Sequence, residues 1–152
     1  MLTYHPTTEE EKYLITAWQY SGDYAMYNKP PYAEQKKSGV GFANPANHFY
    51  SFYDDTALIG FINLSEEETE VFFGIGVNPA HCGKGYGQQM TRMAFDISQE
   101  LFPGKPLYLE VRTWNTRAVR CYEKAGFHIV GGPIRQTTSI GDGEFYHMVR
   151  EA

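Results

Sequence analysis

Cysteine is scarce in this chain. Its 152 residues include 2, Cys82 and Cys121. Two cysteines do not make a disulfide scaffold, and they read as free thiols in a reducing cytosol. Positive charge is also in deficit, with 13 Lys and Arg against 18 Asp and Glu, a net charge of −5. A domain that neutralises many phosphates is usually basic, so nucleic acid is not the expected partner. An acidic surface leans instead toward cationic partners such as amines. No apolar stretch reaches ten residues, which excludes a membrane-spanning helix at sequence level. Residues 1–11 are polar and acidic, unlike a signal peptide. Repeats and low-complexity tracts are absent. The five histidines, His5, His48, His81, His128 and His147, show no metal-ligand spacing such as His-x-x-x-His, so no metal is expected. Neither a P-loop nor the dinucleotide fingerprint Gly-x-Gly-x-x-Gly occurs.

What remains is an ordinary globular composition. Hydrophobic residues make up 42% and aromatic residues 16%, with 12 Tyr and 10 Phe. Those rings suffice for a core and leave some for a pocket. The length predicts one domain over residues 1–152. Residues 9–19 read as a helix capped by Thr8, with Tyr13, Leu14, Ala17 and Trp18 on one face. Residues 22–47 are irregular, with a short helix at 33–37. Tyr20, Tyr24, Tyr27 and Tyr32 there either line a pocket or cover a sheet edge. Strands at 48–53, 56–64 and 69–77 form an antiparallel meander, with Glu66 to Glu68 in a solvated turn.

After Asn78-Pro79 the pattern changes to a glycine-rich turn, Gly83 to Gly87, then a helix to about Leu101. Tyr86, Met90, Met93, Ala94, Ile97 and Leu101 form its apolar stripe. A strand at 107–112, a helix at 115–125 stopped by Gly126, a strand at 127–130, a loop at 131–143 and a strand at 144–150 complete the order. This is an α+β, mixed α/β domain.

The glycine turn carries the first chemical signal. Glycine permits positive φ and a close backbone approach. The first N–H groups of the following helix lack intrahelical acceptors, and the helix dipole favours an anion there. A phosphate or pyrophosphate satisfies both, with Lys84 adding a point charge. A purely structural turn would carry the same glycines.

The turn belongs to a longer pattern. Val71-Phe72-Phe73-Gly74-Ile75-Gly76-Val77, Asn78-Pro79, the glycine turn and its helix are followed by Leu109-Glu110-Val111-Arg112-x-x-Asn115-x-x-Ala118-x-x-x-Tyr122-Glu123-Lys124-Ala125-Gly126-Phe127. This resembles the Gcn5-related N-acetyltransferase (GNAT) superfamily. The likeness is strong over residues 71–130, and over 1–70 only the element order matches. It implies a three-layer fold whose central, mostly antiparallel twisted sheet is flanked by helices. The strand before the turn is expected to be bulged and to splay from its neighbour. Acetyl-CoA would lie there, its pantetheine arm against Ile75, Gly76 and Val77. Its pyrophosphate would sit on the amides of Gly83, Lys84, Gly85, Tyr86, Gly87 and Gln88. Asn115 matches a position that contacts the cofactor near the thioester, and Tyr122 the tyrosine that protonates the departing thiolate. Cys82 stands where the family usually has Gln or Arg. One side-chain donor is lost, which implies weaker cofactor affinity.

The implied reaction is acyl transfer from a thioester to a neutral amine. Glu110 is the first candidate for general base. The Leu-Glu-Val-Arg run is similar to acetyltransferases of ribosomal-protein N-termini, whose matching Glu has that role. The alternatives are a structural Glu110 paired with Arg112 or an amide, Glu70 as base, and water as base. Cys121 is expected to pack against the sheet, so an acyl-cysteine route is not favoured. The resemblance thus implies a cytoplasmic acetyl-CoA-dependent N-acetyltransferase acting by direct attack. Its acceptor would be a small-molecule amine, an amino acid, an antibiotic or a peptide N-terminus. The default assembly is a homodimer. The rival reading is a non-catalytic acyl-CoA sensor or interaction module on the same fold.

Overall fold

The computed structural model describes residues 1–138 and 141–152. Its elements are β1 (Leu2–Pro6), α1 (Glu9–Thr16), a 3₁₀ turn (Gly22–Tyr27), α2 (Tyr32–Ser38), β2 (His48–Asp54), β3 (Ala57–Glu66), β4 (Val71–Val77), α3 (Tyr86–Leu101), β5 (Leu107–Arg112), α4 (Thr116–Lys124), β6 (His128–Ile129), β7 (Ile134–Thr138) and β8 (Gly141–Arg150). Among the described residues the strands form one sheet in the order β1-β2-β3-β4-β5-β8-β6, with β7 also on β8. The pairings are antiparallel except for β4 with β5. The mixed α+β sheet anticipated from sequence is therefore the observed architecture.

Helices cover both faces. The larger core packs Met90, Ala94 and Ile97 of α3 and Val119 of α4 against Ile62, Leu64, Phe73, Leu107 and Leu109. A smaller core on the other face gathers Ile15 of α1, Tyr32 of α2, Phe42 and Phe61. Truncating one of the fully buried rings, Phe52 or Phe73, would cost about 3–5 kcal/mol.

Four sequence expectations need correction. The first strand was missed. β1 pairs with β2 from Leu2 opposite Asp54 to Pro6 opposite Tyr50. Only Leu2 of its five residues is buried, so no apolar alternation marks it, and Pro6 is tolerated because β1 is an edge strand. The expected loop at 131–143 holds β7 and the start of β8, which pair from Ile134 opposite Phe145 to Thr138 opposite Gly141. Residues 139 and 140 of that loop lie outside the described residues.

The buried face of α1 is not the expected one. Tyr13 and Leu14 are exposed, while Glu11, Ile15 and Thr16 are buried. Thr8 and Glu11 form a capping box, and Glu11 also meets His5 of β1 and Tyr53 of β2. A polar anchor, rather than the apolar stripe, sets the rotation of this short helix. In α3, Met90, Ala94 and Ile97 are buried as expected, but the terminal Leu101 is 42% exposed. Thr91 and Ser98 complete the stripe by bonding their hydroxyls to the Gly87 and Phe95 carbonyls.

The feature that positions the site is a parting of strands. β4 pairs with β5 only at Val71 opposite Leu107 and Phe72 opposite Tyr108. Beyond Phe72 the two diverge. Against β3, β4 keeps an unbroken register from Val71 to Val77, so the opening arises without the bulge the resemblance implied.

Candidate active site

Strand alternation decides which backbone groups face the opening. The Asn78 N–H donates to Ile59 of β3, and the Val71 N–H donates the other way, to Pro106. Residues 71, 73, 75 and 77 therefore direct their main-chain groups toward β5, and residues 72, 74 and 76 toward β3. Of the three strand residues singled out by sequence, Ile75 directs its N–H and C=O into the gap and Val77 its N–H, while the Val77 carbonyl, also facing the gap, accepts from the Tyr20 hydroxyl. Gly76 spends its own on Phe61. What Gly76 contributes is a bare floor. A Cβ there would come within 2.3 Å of the Phe61 ring.

Side chains alternate as well. The Val77 side chain faces α3, near the position a Cβ on Gly87 would take. Phe72 stacks edge-on with Tyr108, so the even residues of β4 and β5 share the opposite face. Glu110 lies on that face with Tyr108, while Leu109 and Val111 point into the α3–α4 core. Tyr122 belongs to the α4 side, its ring against Phe73 and Phe127. The two proposed catalytic side chains thus sit on opposite faces of the sheet, and the gap joins them.

Tyr122 is half-buried. Burial, with smaller contributions from Cys121 and Tyr27, pushes its phenol well above the usual range, so it stays protonated. Among the described residues no hydrogen bond engages its hydroxyl. Glu110 is exposed and accepts a short hydrogen bond from Gln136 of β7. It is not paired with Arg112, whose guanidinium reaches Thr138 and the Asp142 carbonyl and stacks on Phe145. Glu70 stands at the tight turn before β4, its carbonyl accepting from the Glu67 N–H. The neighbouring glutamates are tied down too, Glu66 to Lys105 and Glu67 to the Tyr108 hydroxyl.

The glycine turn leaves its amides free. Gly83 and Gly85 have φ of +79° and +81°, and a Cβ on either would meet nothing within 4 Å. Gly85 caps α3 without a side-chain acceptor. The first helical bond is Gln89 N–H to the Gly85 carbonyl, so Tyr86, Gly87 and Gln88 have no backbone acceptor among the described residues. Lys84 is exposed beside them. The Tyr86 side chain turns away and donates to Asp54 in the β2–β3 turn at 2.6 Å, which fastens the turn to the sheet. An anion-binding shape is what these residues fit.

Cys82 directs its thiol at the Val77 and Asn78 carbonyls, 3.8 and 3.6 Å away, and so braces the end of β4. Cys121 is half-buried, its thiol pushed up by burial. Asn115 caps α4 through the Ala118 N–H and donates to the Tyr27 hydroxyl.

That last bond reveals what the sequence left unresolved. Residues 20–28 form a strap over the gap. Asn28 clasps its base by accepting the Tyr20 N–H at 2.6 Å. The Tyr20 hydroxyl reaches the Val77 carbonyl, and Tyr24 and Tyr27 pack on Trp114. Arg117 lies over the Tyr24 ring. Tyr32 does not join them, because it is buried between α1 and α2 and bonds Glu9. Trp18 packs with that smaller core as well. Clustering of tyrosines was the only signal in the sequence, and it did not say which of them would meet Trp114.

Comparison with known proteins agrees with this geometry. The family described as Acetyltransferase (GNAT) matches residues 11–127. The chain is 34% identical over 116 residues to the N-alpha-acetyltransferase RimI of Mycobacterium tuberculosis, covering 72% of this chain and 70% of that protein. It is 31% identical over 106 residues to the mycothiol acetyltransferase of Mycolicibacterium gilvum, covering 65% of this chain and 35% of that one. Among solved structures, a spermidine N-acetyltransferase from Vibrio cholerae in complex with CoA and spermine superposes with a TM-score of 0.79 at 21% identity, covering 99% of this chain and 95% of that one. The chain therefore belongs to the GNAT family of acetyltransferases. It is an N-acetyltransferase, and acetyl-CoA is its cosubstrate. No helix among the described residues is long and apolar enough to cross a membrane.

Proposed function

We propose that the chain transfers an acetyl group directly from acetyl-CoA to a primary amine held on the Glu110 face of the sheet. The observation that carries this reading is the β4–β5 gap, with Tyr122 on one side and Glu110 on the other. Acetyl-CoA supplies an acetyl thioester. The free amides of Gly83 to Gln88 hold its pyrophosphate, and the main-chain groups of Ile75 and Val77 line its path. Asn115, which caps α4 just beyond β5, is the side chain we assign to the cofactor near its thioester. Backbone N–H groups lining the gap would stabilise the negative charge that develops on the thioester oxygen.

The remaining steps are proton transfers. Glu110 takes the proton of the attacking amine, directly or through water. Tyr122 returns one to the departing thiolate. A phenol with a raised pKa is a weak acid, but the same dry surroundings raise the thiol as well, which keeps the transfer within reach. The relative named for N-alpha-acetylation keeps a peptide N-terminus among the acceptors.

Thiol release from acetyl-CoA with an amine panel tests the reading. Glu110→Gln is expected to lower kcat/KM by about 10²-fold near neutral pH, with acetyl-CoA affinity unchanged. A Glu110→Gln enzyme as active as the wild type at every pH would remove Glu110 from the mechanism.

A further inference from the structure

The acceptor face holds one cation whose presence the transfer itself does not explain. Lys29 follows the strap, and its Nζ lies 5.1 Å from the centre of the Phe61 ring. Phe61 is the cross-strand partner of Gly76, and its ring covers that bare glycine. Lys29 therefore stands on the face of β4 that Glu110 occupies on β5. The strand register gives their relation. Extending the Phe72–Tyr108 pairing places Gly74 level with Glu110 and Gly76 two residues further on, roughly 7 Å along the strands. Gly74 and Gly76 add no side chains of their own there, and the Phe61 ring covers Gly76.

Two other lysines that touch structure are paired with carboxylates, whereas Lys36 bonds the Tyr13 hydroxyl. Lys12 pairs with Glu9 and Lys105 with Glu66. Among the described residues Lys29 has no carboxylate partner, only the face of a ring. The side chain is accessible, yet burial by the surrounding protein holds its pKa below the usual lysine range. Its ammonium is reachable by a ligand, with the Phe61 ring on one side. An ammonium without a carboxylate partner gains from an anion brought by a ligand, because hydrogen bonds between ionised groups are stronger than neutral ones.

Resting on the acetyl-transfer reading, we propose that Lys29 sets acceptor specificity by pairing with a carboxylate on the acceptor, which makes the substrate a small amino acid rather than a simple amine. The amine is drawn toward Glu110 and the gap, and the carboxylate toward Lys29. Acetylation removes the charge of the amine and leaves the carboxylate, so Lys29 holds substrate and product alike. The effect belongs in KM more than in kcat.

Matched acceptor pairs test this, each amino acid against its own amide. The wild type is expected to favour the carboxylate by about tenfold or more in kcat/KM, mostly through KM. Lys29→Gln should bring that ratio near one, Lys29→Glu should invert it, and Lys29→Arg should retain it. A wild-type ratio near one overturns the proposal, as does an unchanged ratio in Lys29→Gln. Acetylation of Lys29 itself on incubation with acetyl-CoA alone, read by mass spectrometry, also overturns it, since Lys29 would then be an acceptor. A calorimetric readout needs no turnover. N-acetyl amino acids and their amides are titrated into the protein with CoA. Carboxylate preference that disappears in Lys29→Gln supports the assignment even if no amine is acetylated, in which case only the transferase reading fails. Equal binding of both overturns it.

Discussion

The Tyr20 hydroxyl donates a 2.7 Å hydrogen bond to the Val77 carbonyl, a main-chain group that faces the gap between β4 and β5. The Cys82 thiol approaches the same oxygen. Burial raises the Tyr20 pKa to about 12, so the bond keeps its donor across the working pH range. The strap that carries Tyr24 and Tyr27 and leads into Lys29 is thus fastened to the strand on which acetyl-CoA is proposed to lie.

Tyr20→Phe removes that fastening. One part-buried hydrogen bond contributes about 1 kcal/mol, which in a chain of this size shifts Tm by about 3 °C. Acceptor KM is expected to rise about three- to tenfold, because the strap shapes the acceptor side, while acetyl-CoA affinity does not fall. Calorimetry beside steady-state kinetics checks both. A variant with wild-type acceptor KM would show that the strap is only structural.

The glycines of the turn are not equivalent. Gly85 has φ of +81°, so Gly85→Ala costs about 1–2 kcal/mol of strain and turns the first amides of α3. Acetyl-CoA affinity should fall by about tenfold or more. Gly87 has no such φ, and a Cβ there meets Cys121 and Val77 at 3.6 and 3.7 Å, ordinary contact distances. Gly87→Ala should leave thermal stability unchanged or raise it slightly. Thermal unfolding of the two variants separates them.

Glu11 gives the fold an acid-sensitive anchor. Burial alone would raise its pKa. Hydrogen bonds from the Thr8 N–H, Tyr53, His5 and Ser51 outweigh that and lower it from 4.5 to about 2. A depressed carboxyl contributes stability that is fully present above its unfolded pKa. That contribution is lost as pH falls from about 4.5 toward 2. Up to about 3 kcal/mol is involved. Urea unfolding at pH 7 and pH 3 should show a steeper loss for wild type than for Glu11→Gln. Parallel losses would place the acid sensitivity elsewhere.

Much of the fold was legible in the sequence, and the limits have physical causes. The β2–β3–β4 meander, α3 and α4 carry clear apolar periodicity and glycine stops, and Gly126 with φ of +97° does end α4. β1 and β7 were illegible because they are edge strands with polar, exposed side chains, whose pairing depends on partners distant in the chain. The rotation of α1 was hidden because Glu11, a buried carboxylate, sets it. At the site, Tyr122 and Glu110 could be named through the family resemblance, but their placement on opposite faces follows from strand alternation around a gap. Lys29 and Tyr20 bear no motif. Only the folded strap brings them to Phe61 and Val77.

Direct transfer with Tyr122 as the proton donor stands or falls on one comparison. The most direct measurement is acetyl-CoA binding by calorimetry and thiol release from pH 6 to 10, for wild type and Tyr122→Phe. Wild-type turnover is expected to rise with pH without a descending limb below about pH 10, since the raised phenol keeps its proton. Tyr122→Phe is expected to bind acetyl-CoA as wild type does and to lose about 10²-fold in kcat. Equal turnover in the two proteins would contradict the role of Tyr122. A wild type that binds acetyl-CoA but acetylates no amine would contradict the reading as an active transferase.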